Sequence, residues 1–395
     1  MTETLLADAL LPGGRRVDIR VADGKIAEIA DAGSSPARAG ERIDLAGALV
    51  LPGLIDGHIH LDKTLLGLPF QPHWPGASVA ERIKAEKELR RSVSLPVEAR
   101  AMRLVEQVIA YGTVAVRTHV DIDDEVKLDG LHALLKVREA TRDLIDIQIV
   151  AFPQSGIVAC PGVADLLDNA VREGADLVGG LDPAGIDSDV NGHLDAVFSI
   201  AERHGVGVDI HLHDMGPLGC SELRQIAART EAAGLQNQVA VSHAFALGSV
   251  DASEFERTAA ALARASVAIM TNGPGPVPMP PVKRLVATGV TVFAGSDNIR
   301  DAWSPYGNGD MLERAMMIGY RQGLLADEDV VLAFSLATSA AARVLGLGQR
   351  EVTAGSAADL MAVPAQSIPE AVVGHPPRAL VMKRGRVVAR AGTLI

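Results

Sequence analysis

The chain is short of cysteine, of aromatic residues and of long apolar runs, and each shortage removes a class of function. Cys160 and Cys220 are the only cysteines in 395 residues, too few for a disulfide framework or a cysteine zinc site. Seven Phe, three Tyr and two Trp offer no aromatic ladder for stacking single-stranded nucleic acid. Basic residues are outnumbered, 37 against 49 acidic ones, for a formal net charge of −12. That balance argues against nucleic acid or an anionic membrane as the main partner. No uninterrupted apolar run reaches the ~18 residues of a membrane span. The opening stretch MTETLLADALLPGGRR has no basic start followed by an apolar core, so no export signal is expected. A reduced cytoplasm is the expected compartment. Core material, by contrast, is plentiful: 48 % of residues are hydrophobic and 22 % charged, a globular composition.

The two ends read differently from the middle. Residues 1–50 and 353–395 carry short alternating runs with glycine turns, at Asp23-Gly24 and at Lys383-Arg384-Gly385, which predict hairpins. Neither end holds enough apolar surface to stand alone, so the two are expected to pair into one small β-sandwich module. Residues 51–352 instead repeat a strand followed by a helix. Eight apolar runs each close on polar residues: VLPGLIDGHIH, VAVRTHVD, IQIVAFPQ, LVGGLDP, VGVDIHLHD, VAVSHA, VAIMTN and VTVFAGSDN. Helix-patterned stretches such as EARAMRLVEQVIAYG separate them. Eight such alternations predict an α/β chain folded as a (β/α)8 TIM barrel, whose working groups sit where strands run into the following loops. An open doubly wound sheet is the alternative, but no phosphate-binding glycine fingerprint follows a strand.

Eleven histidines are present, and five lie at strand ends. His58 and His60 form a His-x-His pair on the first barrel strand, and His211 with His213 repeats the spacing on the fifth. Alternate strand residues share a face, so each pair converges on one point. His243 ends the sixth strand and Asp297 the eighth. Imidazole nitrogen with a carboxylate oxygen suits zinc or ferrous iron, and one divalent ion is expected, zinc ahead of iron(II). His119, near the end of the second strand, reads equally as pocket lining or as a structural hydrogen-bonding group. His193 and His204 lie in helical sequence and read as solvated surface groups; His73, His132 and His375 have no ligand spacing. Cys220 reads as packing, and KAEKELRR (84–91) as a solvated helix face.

LPGLIDGHIHLDKT resembles the opening metal motif of the amidohydrolase superfamily. The resemblance continues in order through RTHVDI, IVAFPQSGI, EGADLVGGLDP, GVDIHLHD, VSHA and GSDNIRDAWSPYGNGDML, a series similar to the cytosine deaminase branch. It implies a single catalytic metal held by His58, His60, His211 and Asp297, since LVGGLDP lacks the lysine of binuclear members. It also implies that His243 contacts the attacking hydroxide or the developing oxyanion, that Gln154 hydrogen-bonds the substrate ring, and that Trp303 lies near the pocket. The β-module from both chain ends fits the same superfamily.

Two departures from cytosine deaminases bear on the substrate. Asp214 stands where they have a glutamate, preceded by His213, and Asn298 stands where they have a second aspartate. In both respects the chain is similar to isopropylammelide-type amidohydrolases, which remove an alkylamine from a hydroxylated triazine and whose sites include a lysine and a histidine at the positions of Lys63 and His213. Bland readings stand beside these: Lys63 as a solvated rim charge, Trp303 as loop packing, Asn298 as a turn cap. The expected activity is hydrolysis of a C–N bond in a small nitrogen heterocycle of pyrimidine or triazine type, releasing ammonia or an amine. Metal-activated hydroxide would attack, Asp297 would accept its proton, His243 would donate to the tetrahedral intermediate, and His213 or Asp214 would relay a proton to the leaving amine. The alternatives are a cyclic amide hydrolase that opens its ring, or a barrel that binds a metal or ligand without turnover. The rim loops around 64–80, 155–162 and 299–308 are expected to select the substrate; homo-oligomerisation is left open.

Overall fold

Two kinds of apolar run become two sheets in the computed structural model, which describes residues 3–34, 40–73, 76, 78–348 and 350–395. Residues 74, 75 and 77 of the expected 64–80 rim loop thus lie outside the described residues. The chain opens with β1 (Thr4–Leu10), β2 (Arg16–Ala22), β3 (Lys25–Asp31), β4 (Glu41–Asp44) and β5 (Leu49–Pro52). Then come the eight parallel strands β6 (Leu54–Ile59), β7 (Thr113–Asp121), β8 (Asp146–Phe152), β9 (Leu177–Leu181), β10 (Gly207–Leu212), β11 (Val239–His243), β12 (Ala268–Thr271) and β13 (Val292–Ala294). Each of the eight expected runs supplies one of them. The chain closes with β14 (Leu360–Val363), β15 (Leu380–Lys383), β16 (Arg386–Arg390) and β17 (Thr393–Leu394).

β6 to β13 pair in sequence order, and an Ile59–Asp297 bridge joins the last strand back to the first. The result is the expected TIM barrel. All nine residues of β7 are buried, as expected for parallel strands covered on one face by helices and filled on the other by the barrel interior. The intervening helices bury their apolar stripe: Ala101, Leu104, Val105, Val108 and Ile109 of the helix Val97–Ala110 recur at helical spacing and face the core. At the seam, Gly295 permits closure, because a Cβ there would lie 2.5 Å from His58 Cβ.

The terminal strands form the second sheet, in the order β17-β16-β15-β14-β5-β1-β2-β3 with β4 on β1. Both predicted hairpins are present, β2–β3 and β15–β16. Their turns have positive φ at both central residues, Asp23 and Gly24 in one, Arg384 and Gly385 in the other, the geometry that matches strand twist. Leu6, Ile19, Val50, Leu360 and Met382 share one apolar core, so strands from the two chain ends pack together as a sandwich.

The segment KAEKELRR departs from its reading. It does lie in a helix, α1 (Val79–Ser92), capped by Ser78 Oγ accepting from Glu81 N, but Ile83 and Glu86 are buried. Charge alternation alone does not reveal that one acidic position faces inward.

Lys383 fastens the terminal sheet to the barrel. Its fully buried ammonium reaches Asp359 Oδ2 at 2.9 Å, Asp146 Oδ2 at 2.7 Å and Val114 O at 3.0 Å. Burial lowers its pKa to about 8 against the pull of Asp146. Lys383→Met should reduce the unfolding free energy by about 1–3 kcal/mol, because it leaves Val114 O without its buried donor and Asp359 with only Arg350 and the Arg384 N–H. Arg390→Met, which breaks an exposed pair with Glu41, should cost about 0–1 kcal/mol. Denaturant titration reads both, and equal losses would contradict the assignment.

Candidate active site

Period-two alternation fills the barrel interior with polar layers. On β6, Asp56, His58 and His60 share the inner face; on β7, Arg117, His119 and Asp121; on β10 and its end, Asp209, His211 and His213. The lowest layer holds an ion pair, Arg117 Nη1 to Asp209 Oδ2 at 2.9 Å. Above it lie the imidazoles: the ring centroids of His58 and His211 are 4.5 Å apart, those of His58 and His60 5.2 Å, and those of His211 and His243 5.2 Å. Asp297 Oδ1 faces His58 Nε2 at 3.5 Å and His60 Nε2 at 3.3 Å. Asp297 and His243 hold left-handed φ values of 63° and 73°. Such strain in non-glycine residues concentrates at functional sites.

This donor set fits a divalent ion. His58 with His211 and His243, and His58 with His60 and Asp297, each bring ligand atoms within 4.8 Å of one another. His58 Nε2 and both ring nitrogens of His211 are buried without a hydrogen-bond partner among the described residues, a costly arrangement that a bound cation relieves. Burial pushes the His60 imidazole down to about 3 and that of His211 well below its usual value, which keeps both neutral, the ligating form. Burial opposes ionisation of Asp297, yet His243, His58 and His60 override it and hold its carboxyl well below the usual range.

A chain of hydrogen bonds sets the orientation of His58. Ser242 Oγ donates to Asp209 Oδ1 at 3.0 Å, so its lone pair accepts from His58 Nδ1–H at 2.8 Å. The proton on Nδ1 leaves Nε2 bare, aimed at Asp297. Asn272 does the same for the carboxylate: its Nδ2 donates to Asp297 Oδ2 at 2.8 Å, leaving Oδ1 toward the imidazoles. His119 sits beneath, 4.0 Å from the His58 ring. Neither of its nitrogens has a partner among the described residues, and it is not among the residues lining the cavity. His119 and Asp209 also come close to His58, but Arg117 and Ser242 already engage Asp209.

A cavity of about 910 Å³ opens above the cluster, lined by His60, His211, His243 and Asp297 and also by Lys63, Gln154, His213, Asn298 and Trp303. His58 lies just beneath it, fully buried. Lys63 is not a solvated rim charge. Its buried ammonium lies 2.8 Å from Asp121 Oδ1 and 3.1 Å from Glu86 Oε2. Burial disfavours that charge, but Asp121, Glu86 and Asp62 raise its pKa above the usual value, so Lys63 acts as a donor. Glu86 is the hub: Gln154 Nε2 and Trp303 Nε1 also donate to its Oε2. Asn298 Nδ2 donates to Asp301 Oδ2 at 2.7 Å, and burial raises Asp301 to about 6. Each amide thus gives one N–H to a carboxylate, which fixes its orientation and leaves its oxygen as an acceptor.

The two candidate proton relays separate. His213 lines the cavity, stacks on His243 with centroids 4.5 Å apart, and bonds Asp182 Oδ2 through Nδ1 at 2.9 Å. Burial disfavours its imidazolium, but Asp182 outweighs that and raises its pKa. Asp214 is not among the cavity-lining residues. Once β10 has ended its side chain turns to the neighbouring loop, where Oδ2 accepts from Gly185 N–H at 2.9 Å. His193 also departs from its surface reading: it is fully buried, with Nδ1 on Asp187 Oδ2 at 2.7 Å. Asp187 in turn accepts from Ile157, Val158 and Ala159 N–H and so pins the 155–162 loop.

Sequence reasoning missed Glu86, Asp182, Asp209, Ser242 and Asn272. Asp209 was findable from its period-two relation to His211, and Asn272 from its place just past the seventh strand. Nothing in the charged pattern of α1 marks Glu86.

A family model described as the amidohydrolase family matches residues 41–389. The chain is similar to the crystal structure of N-isopropylammelide isopropylaminohydrolase from Burkholderia multivorans, with 40 % identity, 100 % of each chain covered and a TM-score of 0.96. It is 31 % identical to N-isopropylammelide isopropyl amidohydrolase of Pseudomonas sp. strain ADP over 90 % of this chain and 89 % of that one. The crystal structure of 5-methylcytosine deaminase from Klebsiella pneumoniae is 29 % identical, covers 98 % of this chain and 97 % of its own, and gives a TM-score of 0.87.

The Asp209–Ser242–His58 chain makes a prediction of its own. Ser242→Ala removes the acceptor that fixes the His58 tautomer, and loss of such a support typically weakens metal affinity about 10–100-fold. Competition against a chromophoric chelator should show that loss, with Ser249→Ala unchanged. Equal affinities for the two variants would remove Ser242 from the site.

Proposed function

The chain belongs to the amidohydrolase family, hydrolases of C–N bonds, and from that premise we propose that it removes an exocyclic amine from an oxo-rich six-membered nitrogen heterocycle, an alkylamino-substituted hydroxylated triazine being the favoured type. One observation carries the choice of ring: Gln154 and Asn298 each donate one amide N–H to a carboxylate, Glu86 and Asp301, which orients the amides and leaves their oxygens free. The two free amide oxygens suit ring N–H donors, and the Lys63 ammonium suits a ring carbonyl. An oxo-rich lactam ring presents alternating N–H and C=O groups that match this pattern. Cytosine, an amidine, is better served by a carboxylate where Asn298 stands. The likeness to two isopropylammelide hydrolases supports the same choice.

His58, His60, His211 and Asp297 would hold the divalent ion, with His243 beside it. Such an ion supplies Lewis acidity and lowers the pKa of water at the site toward about 7. Zinc is the favoured ion. The remaining work falls to side chains. Asp297 takes the proton of the attacking water. His243 donates to the oxygen that develops charge, a contribution typically worth about 2.7–4 kcal/mol. His213, its Nδ1–H fixed on Asp182, carries a proton on Nε2 to the departing nitrogen. Lys63 and Trp303 hold the ring through one shared anchor, Glu86.

Amine release over a panel of ring substrates tests the reading. An alkylamino hydroxytriazine should exceed cytosine in kcat/KM by at least about ten-fold, a difference of about 1.4 kcal/mol, and equal or better turnover of cytosine would overturn it. His243→Asn should keep its metal yet lose at least about two orders of magnitude in kcat. A silent change there would remove His243 from the chemistry.

A further inference from the structure

Among the charged residues that line the cavity, Arg314 has no task in this scheme. Arg314, on the helix Met311–Gln322, lines the cavity. Its Nη1 donates to Asn272 O at 2.6 Å, and it forms no ion pair among the described residues. A guanidinium has five N–H donors, so most of them have no hydrogen-bond partner among the described residues. Other interior cations are matched: Lys63 meets Glu86 and Asp121, Arg117 meets Asp209, Arg378 meets Asp310, and Lys383 meets Asp359. Arg100 is held by the Leu95 and Thr64 carbonyls. The neighbouring Glu313 is engaged by Asn308 Nδ2 at 2.6 Å. Burial disfavours the charge on Arg314, and the carboxylates of Asp56, Asp297 and Glu313 favour it through space without pairing with it directly; guanidinium remains a cation in proteins. The chamber wall thus carries a guanidinium with hydrogen-bond donors to spare.

The chamber also has room for more than a bare ring. Its volume of about 910 Å³ lies near the top of the range, about 300–1,000 Å³, of pockets that hold drug-sized ligands. We infer that Arg314 binds an anionic oxygen of the substrate, either a ring oxo group in its enolate form or a carboxylate carried on the ring. The inference rests on the catalytic reading of the cavity and narrows its substrate class to acidic heterocycles. Guanidinium suits this task because its planar fork pairs with two oxygens at once. A purely positioning role is distinguishable. Through Asn272 O, Arg314 also steadies the residue whose side chain holds Asp297, and losing that support would affect every ligand alike.

Calorimetry on the zinc-loaded protein at neutral pH, with uracil, barbiturate and orotate, decides the matter. The three are a neutral ring, a ring enolate and a ring carboxylate. None carries an exocyclic amine, so the measurement does not depend on amine release and survives failure of the proposed reaction. At least one anion should bind about ten-fold or more tightly than uracil, and which one does so identifies the source of the charge. Arg314→Met should erase that margin and change the uracil Kd by less than about two-fold. Arg314→Lys keeps the charge but loses the fork and should retain a reduced margin; it decides the question if the Met variant fails to fold by near-ultraviolet circular dichroism. Absence of any anion preference, a margin that persists in both variants, or equal weakening of all three ligands would overturn the inference.

Discussion

The hydrogen bond from Asp297 N–H to His58 O, 2.8 Å long, joins the last strand of the barrel to the first, and the site depends on it. A parallel barrel closes only if the eighth strand reaches the first in register. Here the residues that meet at the seam are themselves candidate ligands, so closure of the fold and convergence of the donor set are one event. Gly295 is what makes the approach close enough. Asp297 then leaves the strand with φ at 63°, which turns its carboxylate inward over His58 and His60. A barrel open at this seam would keep the His-x-His pairs and lose the carboxylate that joins them.

Below and beside the seam, each candidate working side chain is held by a second one. Asp209 and Ser242 hold His58, Asn272 holds Asp297, Asp182 holds His213, and Glu86 gathers Lys63, Gln154 and Trp303. The supports are mostly carboxylates buried beside the donors they orient. Removing either partner would leave the other buried and unpaired, so each pair is stable only as a pair. The chamber is consequently lined by side chains whose orientation is already set, among them the amides of Gln154 and Asn298 and the ammonium of Lys63. Preorganisation of this kind is where an active site obtains most of its discrimination.

The barrel and the imidazole cluster were legible in the sequence because both follow from period two. Runs such as VGVDIHLHD declare a strand buried on both faces, and the same alternation places His58 with His60 and His211 with His213. The hairpins at Asp23-Gly24 and Lys383-Arg384-Gly385 were legible because only certain residues tolerate positive φ at both turn positions. Three features were hidden, each for a physical reason. Glu86 belongs to a helix whose charges look solvated, and its inward turn depends on Lys63 and Trp303, both distant in sequence. Asp214 was an alternative to His213 that needed the chain to turn where β10 ends; its carboxylate instead stays opposite His213 in direction and accepts from Gly185 N–H. His193 lies on a helical face that Asp187 and the fourth strand bury from outside. Sequence periodicity reports direction within an element and is silent about what another element brings to meet it.

The C–N bond hydrolysis proposed for this chain requires one divalent ion held by the side chains that meet at the seam. Its most direct test is a titration of metal-free protein with zinc, reading bound metal and amine release in the same samples. The account predicts that activity rises in step with occupancy and saturates at about one ion per chain. Full turnover in the metal-free protein, or activity that appears only as a second ion binds, would contradict it.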